Sequence, residues 1–206
     1  MDALGIEGAW VYTPRIFRDD RGFFTEAYAL AEFAADLGYP LDLRQVNASV
    51  SHRGVVRGIH FTAVPPGQAK YVFCPKGALL DVVVDVRAGS PTFGQWEAVR
   101  IDETDRRAVF LEHGLGHALM ALAPEATAVY LCTSTYAPAV DRDLNPFDPD
   151  IAISWPPDTE KILSDKDRSA PSLAELLAAG LLPDYAECVR YREELKAQEL
   201  KARAAG

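Results

Sequence analysis

The stretch Leu79-Leu-Asp-Val-Val-Val-Asp-Val-Arg87 is a nearly continuous apolar run that contains two aspartates four residues apart. Because successive side chains of a strand point to opposite faces, Asp81 and Asp85 fall on one face. A short apolar run of this kind is typical of a buried strand. We expect the two carboxylates to be salt-bridged or turn-capping groups on a barrel wall, with catalysis as the less favoured alternative.

This run belongs to a series of short β-rich segments separated by Gly- and Pro-containing turns. Regular short strands with almost no helix between them predict an all-β fold, a β-sandwich or jelly-roll barrel whose core spans about 43–137. The eight predicted strands lie at 43–50, 55–61, 70–74, 78–86, 96–101, 108–111, 118–123 and 127–133.

Short helices are predicted at the periphery of the barrel. Residues 26–38 have apolar positions near the helical period and end at Gly38 and Pro40. In the C-terminal tail, about 172–202, Ser172 and Glu175 form a capping-box pattern, and a strongly charged helix follows from about 185 to 201. No linker-like composition separates this tail from the barrel, so we expect one domain over 1–206.

Composition excludes several classes of protein. The 206 residues include 30 acidic and 21 basic side chains, a net charge of −9, which disfavours a nucleic-acid binder or a protein of anionic membranes. No apolar run reaches the ~18 residues of a membrane span, and the N-terminus lacks signal-peptide features. Three widely spaced cysteines are typical of reduced thiols, which predicts a cytoplasmic location.

His60 is the best candidate for a general base. It lies in Arg57-Gly-Ile-His-Phe61, where strict alternation puts Arg57, Ile59 and Phe61 on one face and Gly58 and His60 on the other. A histidine in a barrel lumen can take and return a proton near neutral pH. On its own, His60 is more easily explained as a hydrogen-bonded core histidine.

A metal site is the main competitor for this histidine, and we expect none. The residue two positions after His60 is Thr62, so the His-x-His pair of metal-binding cupins is missing. His113 and His117 have a helical ligand spacing, but Gly114 and Gly116 favour a loop.

Other common site motifs are missing from the sequence: nucleophile-elbow, dinucleotide-binding and P-loop patterns are all absent. Arg21, Arg57 and Lys70 remain as cations that suit a diphosphate, although each alone is more often a surface charge.

Nine stretches, in order over about residues 5–185, resemble the dTDP-4-dehydrorhamnose 3,5-epimerase family, including its antibiotic-sugar branch. The blocks containing Arg57-Gly-Ile-His60 and Ser90-Pro-Thr-Phe-Gly-Gln-Trp96 are the most specific. The stretches are Asp19-Asp-Arg-Gly-Phe-Phe24, Arg44-Gln-Val-Asn47, Arg53-Gly-Val-Val-Arg-Gly-Ile-His-Phe61, Pro66-Gly-Gln-Ala-Lys70, Gly77-Ala-Leu-Leu-Asp-Val-Val-Val-Asp-Val-Arg87, Gly89-Ser-Pro-Thr-Phe-Gly-Gln-Trp96, Tyr136-Ala-Pro138, Asp148-Pro-Asp150 and Leu163-Ser-Asp-Lys-Asp167.

The resemblance implies a cupin-type double-stranded β-helix, a homodimer and an isomerase that needs no cofactor. It implies His60 as general base, Asp167 rather than Asp165 as the carboxylate that orients it, Lys70 near the sugar ketone and Tyr130 as the acid on the opposite ring face. It also implies a set of residues that line the nucleotide-sugar site: Arg21, Phe24, Glu26, Gln45, Asn47, Arg57, His117 and Tyr136.

The implied reaction moves protons at C3 and C5 of a dTDP-linked 4-keto-6-deoxyhexose. An epimerase of C3 alone or C5 alone would use the same residues, and a metal-dependent cupin or a non-catalytic nucleotide-sugar binder is less favoured.

Two departures from the family pattern are present. Glu112-His113-Gly114 replaces the usual Pro-Pro-Gly, which predicts a reshaped loop before His117, and Leu131 replaces a lysine that often follows the tyrosine.

Overall fold

The computed structural model describes residues 1–205. Within them, strands dominate and helices are short except at the C-terminus. The strands are β1 (Asp2–Ala3), β2 (Ala9–Tyr12), β3 (Ile16–Asp19), β4 (Gly22–Thr25), β5 (Gln45–His52), β6 (Val56–Thr62), β7 (Lys70–Lys76), β8 (Ala78–Val84), β9 (Trp96–Asp102), β10 (Ala108–Leu111), β11 (Gly116–Ala121), β12 (Glu125–Cys132) and β13 (Asp141–Asp143). The helices are α1 (Leu30–Leu37), α2 (Asp165–Arg168), α3 (Leu173–Ala178) and α4 (Tyr185–Ala205).

Two antiparallel sheets form the barrel. One has the strand order β1-β2-β10-β7-β12-β5 and the other the order β13-β6-β11-β8-β9, while β3 and β4 form a separate hairpin. Each of the eight predicted β-rich segments overlaps one of the strands β5 to β12. The prediction of an all-β fold with short peripheral helices is therefore confirmed.

The space between the sheets is filled by apolar side chains over part of its length. Val72 and Val109 of the six-stranded sheet meet Leu79, Val83 and Leu119 of the five-stranded sheet, all nearly inaccessible to solvent. Tyr130 packs against the margin of this cluster. Beyond it, polar side chains from both sheets face each other around a cavity.

The outer face of each sheet is covered by its own apolar cluster. Leu144, Trp155 and Leu176 pack on the five-stranded sheet. On the six-stranded sheet, Phe33 of α1 contacts the ring of Phe110 edge to face, with ring centroids 4.8 Å apart. Where these clusters cover the outer faces, strands β8, β10 and β11 are buried on both sides almost throughout.

The first helix is shorter than its sequence pattern predicts. It begins at Leu30 rather than at 26, because Ala29 is extended and the hydroxyl of Tyr71 donates a 2.6 Å hydrogen bond to the carbonyl of Ala27. Its end is as predicted, since Gly38 has φ 87°, a left-handed conformation that ends helices. In α3 the capping box of Ser172 and Glu175 is formed as predicted.

The long helix α4 covers the turn that precedes β11. Arg192 forms ion pairs with Glu7 at 2.6 Å and with buried Glu112 at 3.3 Å. The rings of Tyr191 and His113 meet edge to face, with centroids 4.9 Å apart. Within residues 1–205, no helix has the length and apolar character that a membrane crossing demands.

The two aspartates of the Leu79–Arg87 run have different surroundings. Asp85 lies in a buried ion pair with Arg87 at 2.8 Å and accepts hydrogen bonds from the hydroxyls of Ser90 and Thr92, both at 2.6 Å. It therefore fixes the turn after β8, as the structural interpretation of this carboxylate predicts. Asp81 is also buried, but its partner is a histidine of the neighbouring strand, His117, which lines the cavity.

Candidate active site

A cavity of about 570 Å³ lies between the two sheets at the polar end of the barrel. The six-stranded sheet contributes residues of β5, β7 and β12, and the five-stranded sheet contributes residues of β6, β11 and β13. Nine of the twelve predicted site residues line this cavity: Gln45, Asn47, Arg57, His60, Lys70, His117, Tyr130, Tyr136 and Asp167. A space of this size can hold a ligand the size of a small nucleotide sugar.

A β-bulge brings Arg57 to the same side as His60. Along the β6–β11 ladder, His60 lies opposite His117 but Arg57 lies opposite Leu119, so three steps on β6 match two on β11. The predicted placement of Arg57 on the face of Ile59 and Phe61 is therefore wrong, because the alternation shifts at the bulge. Gly58 has φ 104°, and a Cβ there would collide with the backbone of β11, so the bulge requires glycine.

His60 and Asp167 form a short hydrogen bond, with Nε2 of His60 2.7 Å from Oδ1 of Asp167. The short helix α2 positions the carboxylate, because the Ser164 hydroxyl accepts from the Asp167 amide and donates to Oδ2 at 2.9 Å. Burial alone would raise the pKa of Asp167, but the hydrogen bonds from His60 and Ser164 outweigh it and lower the pKa. Asp165, in contrast, is exposed.

An ionised carboxylate next to Nε2 favours the tautomer in which Nε2 carries the proton. In that tautomer Nε2–H donates to Asp167 and the lone pair lies on Nδ1. His60 is positioned by β6 and oriented by α2, while its side chain remains about 40% exposed toward the cavity. The pair has the arrangement of a general base held by a carboxylate.

Lys70 and Tyr130 approach the cavity from the opposite sheet. Burial lowers the pKa of Lys70, while the Cys132 and Asp141 side chains act in the other direction. Burial also raises the pKa of Tyr130 to about 12, with the Ser49 hydroxyl and the Arg57 charge acting against the rise. At neutral pH the Tyr130 side chain is therefore a protonated phenol, able to donate a proton.

His117 is held between the sheets by a buried carboxylate. Its Nε2 lies 2.9 Å from Oδ2 of Asp81, and both side chains are almost inaccessible to solvent. The His117 ring also meets the ring of Tyr130 edge to face, with centroids 6.0 Å apart. Asp81 thus belongs to the site, where it fixes the histidine whose ring contacts the predicted acid.

Polar side chains of β5 and an exposed tyrosine border the cavity mouth. The Gln45 amide donates to Oδ1 of Asn47 at 2.7 Å and accepts from the backbone amide of Tyr136 at 3.2 Å. The Tyr136 ring is 64% exposed, as an aromatic platform for a ligand ring would be. Arg57 donates to the Ser51 hydroxyl at 3.0 Å, which places a guanidinium at the same mouth.

Comparison with known proteins agrees with this geometry. The model of one family, described as dTDP-4-dehydrorhamnose 3,5-epimerase, matches residues 3–175. The chain belongs to the dTDP-4-dehydrorhamnose 3,5-epimerase family. The predicted family and the predicted enzyme class, an isomerase, are thereby confirmed.

Its relatives within the epimerase family include enzymes of two kinds. A dTDP-4-dehydrorhamnose 3,5-epimerase of Streptomyces griseus is 51% identical over 195 residues, which is 95% of this chain and 97% of the relative. ChmJ, a 3'-monoepimerase from Streptomyces bikiniensis solved with dTDP-quinovose, is 51% identical, with a TM-score of 0.91 over 97% of this chain and 100% of that chain.

The antibiotic-sugar branch is also represented. NovW, a 4-keto-6-deoxy sugar epimerase from the novobiocin biosynthetic gene cluster of Streptomyces spheroides, is 53% identical, with a TM-score of 0.89. The likeness covers 91% of this chain and 94% of that chain.

Three predicted residues lie outside the cavity of their own chain. Arg21 is in the turn of the β3–β4 hairpin, where its guanidinium pairs with Asp19 and is 90% exposed. Phe24, on β4, is 64% exposed, and Glu26 follows the strand in an exposed position. The hairpin thus presents these side chains to the surroundings, and their part in an epimerase site stays a prediction.

Several residues that line the epimerase cavity were not predicted from the sequence. Asp143, opposite His60 on the neighbouring strand, has Oδ1 3.6 Å from Nε2 of His60 and 2.9 Å from the Lys166 ammonium. The Cys132 side chain lies opposite Lys70 on adjacent strands. Lys166 precedes Asp167 directly, so its place could have been anticipated. Nothing in the Asp- and Pro-rich loop distinguishes Asp143.

One cluster within residues 1–205 has the composition of a metal site. The ligand atoms of His60, Asp143 and Asp167 all lie within 4.8 Å of one another. The Lys166 ammonium already neutralises Asp143, and the hydrogen bond to His60 already engages Asp167. The other two histidines considered for a metal have separate partners: Nε2 of His117 lies 2.9 Å from Oδ2 of Asp81, and Nε2 of His113 lies 3.3 Å from the Thr133 hydroxyl.

Residues 112–114, where the sequence departs from the family pattern, lie in the turn before β11, and His117 is in the ladder that follows. Glu112 is buried and accepts a 2.7 Å hydrogen bond from the Tyr39 hydroxyl. His117 itself is in β11, paired with β6 on one side and β8 on the other. Its position in the epimerase site is therefore fixed by two strand ladders rather than by the turn.

Proposed function

We propose that the chain is a cofactor-independent epimerase that inverts C3 and C5 of a dTDP-linked 4-keto-6-deoxyhexose. One observation carries the proposal: His60, bonded to Asp167 of α2, and the Tyr130 phenol come from opposite sheets and line one cavity. A base and an acid on the two sides of a bound ring are what inversion of a carbon centre requires. The matching family model supports the substrate class.

The proposed reaction begins with an acidic C–H bond. The ketone at C4 acidifies the hydrogens on C3 and C5, and His60, oriented by Asp167, removes one of them. General-base catalysis of this kind contributes ~10²–10⁴-fold. The C–H electron pair moves into an enolate whose C4 oxygen accepts from the Lys70 ammonium, which contributes about 3–4 kcal/mol if it equals one oxyanion-hole donor.

Inversion is completed from the other face of the ring. Tyr130 donates its proton to the carbon that has lost one, so the new C–H bond points away from His60. His117 and Asp81 position Tyr130 through the ring contact between His117 and the phenol. A second round at the other carbon gives the double epimer.

The nucleotide end of the substrate is assigned to the cavity mouth. Arg57 supplies a fixed cation for the diphosphate, and Gln45 and Asn47 supply amide groups beside it. The exposed ring of Tyr136 is the proposed platform for the thymine. The structural relative ChmJ was solved with dTDP-quinovose, which supports a dTDP sugar as the ligand of this fold.

The second candidate is a single-site epimerase that inverts C3 alone or C5 alone. It is favoured by the 51% identity to the 3'-monoepimerase ChmJ over nearly the whole chain. The same base, acid and lysine would act, and only the placement of the ring against Tyr130 would differ. A metal-dependent cupin or a simple sugar-nucleotide binder has less support, since neither explains the base and the acid together.

A homodimer is part of the proposal. β5 is an edge strand of its sheet, and its outer face exposes Val46 and Val50 by more than half. The hairpin adds exposed Phe17, Phe23 and Phe24. Exposed apolar side chains at a sheet edge are typical of an interface, and a second copy would bring Arg21, Phe24 and Glu26 to the neighbouring cavity.

A cytoplasmic location is also part of the proposal, and it is supported by three free cysteines.

Proton NMR tests the reaction and its cofactor independence together. The protein is treated with EDTA and incubated in D₂O with dTDP-4-keto-6-deoxyglucose. Deuterium at both C3 and C5 is expected, and deuterium at one carbon would instead identify the single-site enzyme. Exchange that is absent after EDTA and restored by a divalent metal would overturn the proposal in favour of a metal-dependent cupin.

A further inference from the structure

After every inversion in the proposed reaction, the base and the acid each have the opposite protonation state from the one in which they started. His60 has gained a proton and Tyr130 has lost one. The sugar ring lies between them, so the proton cannot return directly while the substrate is bound. A second inversion of the same ring therefore requires a separate supply of protons to Tyr130. The inference below rests on the proposed function.

Ser49 is placed to supply that proton. Its hydroxyl oxygen lies 3.3 Å from the phenol oxygen of Tyr130, and within residues 1–205 no other side chain is hydrogen-bonded to that phenol. Ser49 lies on β5, which pairs with β12 on one side and is the edge strand on the other. The serine oxygen thus lies between the partly buried phenol and the edge of the sheet.

We propose that Ser49 is the residue through which Tyr130 recovers its proton from water after each inversion. The Ser49 O–H bond breaks as its proton bonds to the tyrosinate oxygen, and the serine oxygen takes a proton from a water molecule. The hydroxide left by that water is neutralised by the proton that His60 releases to solvent. The enzyme returns to its starting state with no net change in atoms or charge.

The surroundings of Ser49 fit this role. Arg57 donates to the Ser51 hydroxyl at 3.0 Å and to the Val50 carbonyl at 3.3 Å, which holds β5 in place just beyond Ser49. The same guanidinium charge favours the tyrosinate until the proton arrives. Ser49 is also one of four polar residues at alternate positions of β5, on the face opposite Val46 and Val50: Gln45, Asn47, Ser49 and Ser51.

A purely structural role for Ser49 has less to support it. Tyr130 is paired on both sides of β12, with Asn47 of β5 and with Val72 of β7, and it packs against the apolar cluster. Its ring position therefore does not depend on one 3.3 Å hydrogen bond. Loss of the Ser49 hydroxyl should slow proton recovery more than it disturbs the geometry of the first inversion.

Pre-steady-state kinetics separates these roles. Ser49→Ala, Ser49→Thr and the exposed control Ser154→Ala are mixed with dTDP-4-keto-6-deoxyglucose and followed through the first and later turnovers. In Ser49→Ala we expect a first inversion within about threefold of the wild-type rate, followed by turnovers slowed about tenfold or more. Ser49→Thr keeps the hydroxyl and should restore the later turnovers.

A small acid provides an independent readout. Imidazolium buffer should accelerate the later turnovers of Ser49→Ala but not those of the wild type, because a diffusible acid replaces the missing hydroxyl.

Equal slowing of the first and later turnovers in Ser49→Ala would show a structural role and overturn the inference. Unchanged turnover would also overturn it, since Tyr130 would then take its proton directly from cavity water. Failure of the proposed function itself would appear as wild-type protein that inverts neither carbon.

Discussion

Nε2 of His60 lies 2.7 Å from Oδ1 of Asp167, although the two residues are 107 positions apart in the chain. The ladder of β6 with β11 positions the histidine, and α2, capped by Ser164, positions the carboxylate. With Asp167 ionised, this contact favours the tautomer that carries the proton on Nε2 and the lone pair on Nδ1. The proposed chemistry depends on that assignment.

Removal of the Asp167 charge should slow proton abstraction. In Asp167→Asn the amide no longer favours the Nε2–H tautomer or stabilises the imidazolium, so we expect kcat to fall ~10²–10⁴-fold with KM within a few fold. The rate of deuterium uptake measures the effect. Asp165→Asn, at an exposed position two residues away, is the matched control and should keep the wild-type rate. Unchanged kcat in Asp167→Asn would contradict the assigned pairing.

His60→Ala is expected to abolish proton exchange while nucleotide affinity stays within a few fold, because the base is distant from the groups assigned to the diphosphate. Binding of dTDP measured by calorimetry separates the two effects. Undiminished turnover in this variant would remove His60 from the mechanism.

Replacement of Lys70 tests the support of the enolate. Lys70→Met keeps the length of the side chain but removes the ammonium, so kcat should fall ~10²–10³-fold, as when one oxyanion-hole donor is lost. Because the developing charge exists only in the transition state, KM should change little. Lys76→Met, at the exposed end of the same strand, is the control. A rise in KM with unchanged kcat would show that Lys70 only binds substrate.

Burial of His113 should make stability depend on pH. Desolvation lowers the pKa of His113 to about 4, whereas the unfolded chain binds the proton near its ordinary value. The unfolded state therefore holds more protons between these values, and the free energy of unfolding falls as the pH drops below about 6.5. From pH 7 to pH 5 the loss is about 2 kcal/mol.

Denaturant unfolding at pH 7 and pH 5 measures this dependence. His113→Gln should remove most of it, while the same change at exposed His52 should leave it in place. Equal pH dependence in the wild type and in His113→Gln would contradict the link between His113 burial and stability.

The hairpin residues should act on the cavity of a second copy. We expect Arg21→Ala/Phe24→Ala and His60→Ala to be nearly inactive separately and to regain activity when mixed after unfolding and refolding. In a mixed dimer, one cavity then combines an intact His60 with an intact hairpin from the other chain. Mixtures that stay inactive, although light scattering shows dimers, would place the hairpin at its own cavity or outside the site.

Much of the barrel follows from local sequence. The eight predicted strands are present because Gly- and Pro-containing turns interrupt short apolar runs, and the Ser172 capping box marks the start of α3. Tertiary contacts explain the differences. The helix start moves to Leu30 because Tyr71 binds the Ala27 carbonyl, and Arg57 changes face at the Gly58 bulge, which strand alternation does not reveal.

The site is less accessible to sequence reasoning than the fold. Family motifs identify His60, Tyr130, Lys70 and Asp167, but their roles stay predictions, as does the single domain over 1–206. Asp143 approaches His60 only because β13 pairs with β6, and Ser49 meets Tyr130 only across the β5–β12 ladder. Contacts of this kind depend on strand register, which a single sequence does not specify.

The most direct test of the two-sided mechanism is Tyr130→Phe in D₂O, with solvent exchange and inversion followed separately by NMR. His60 can still remove a proton and return deuterium to the same face, so exchange should continue while inversion falls ~10²-fold or more. Inversion that persists at the wild-type rate, or exchange that disappears while the variant still binds dTDP, would contradict a base at His60 and an acid at Tyr130.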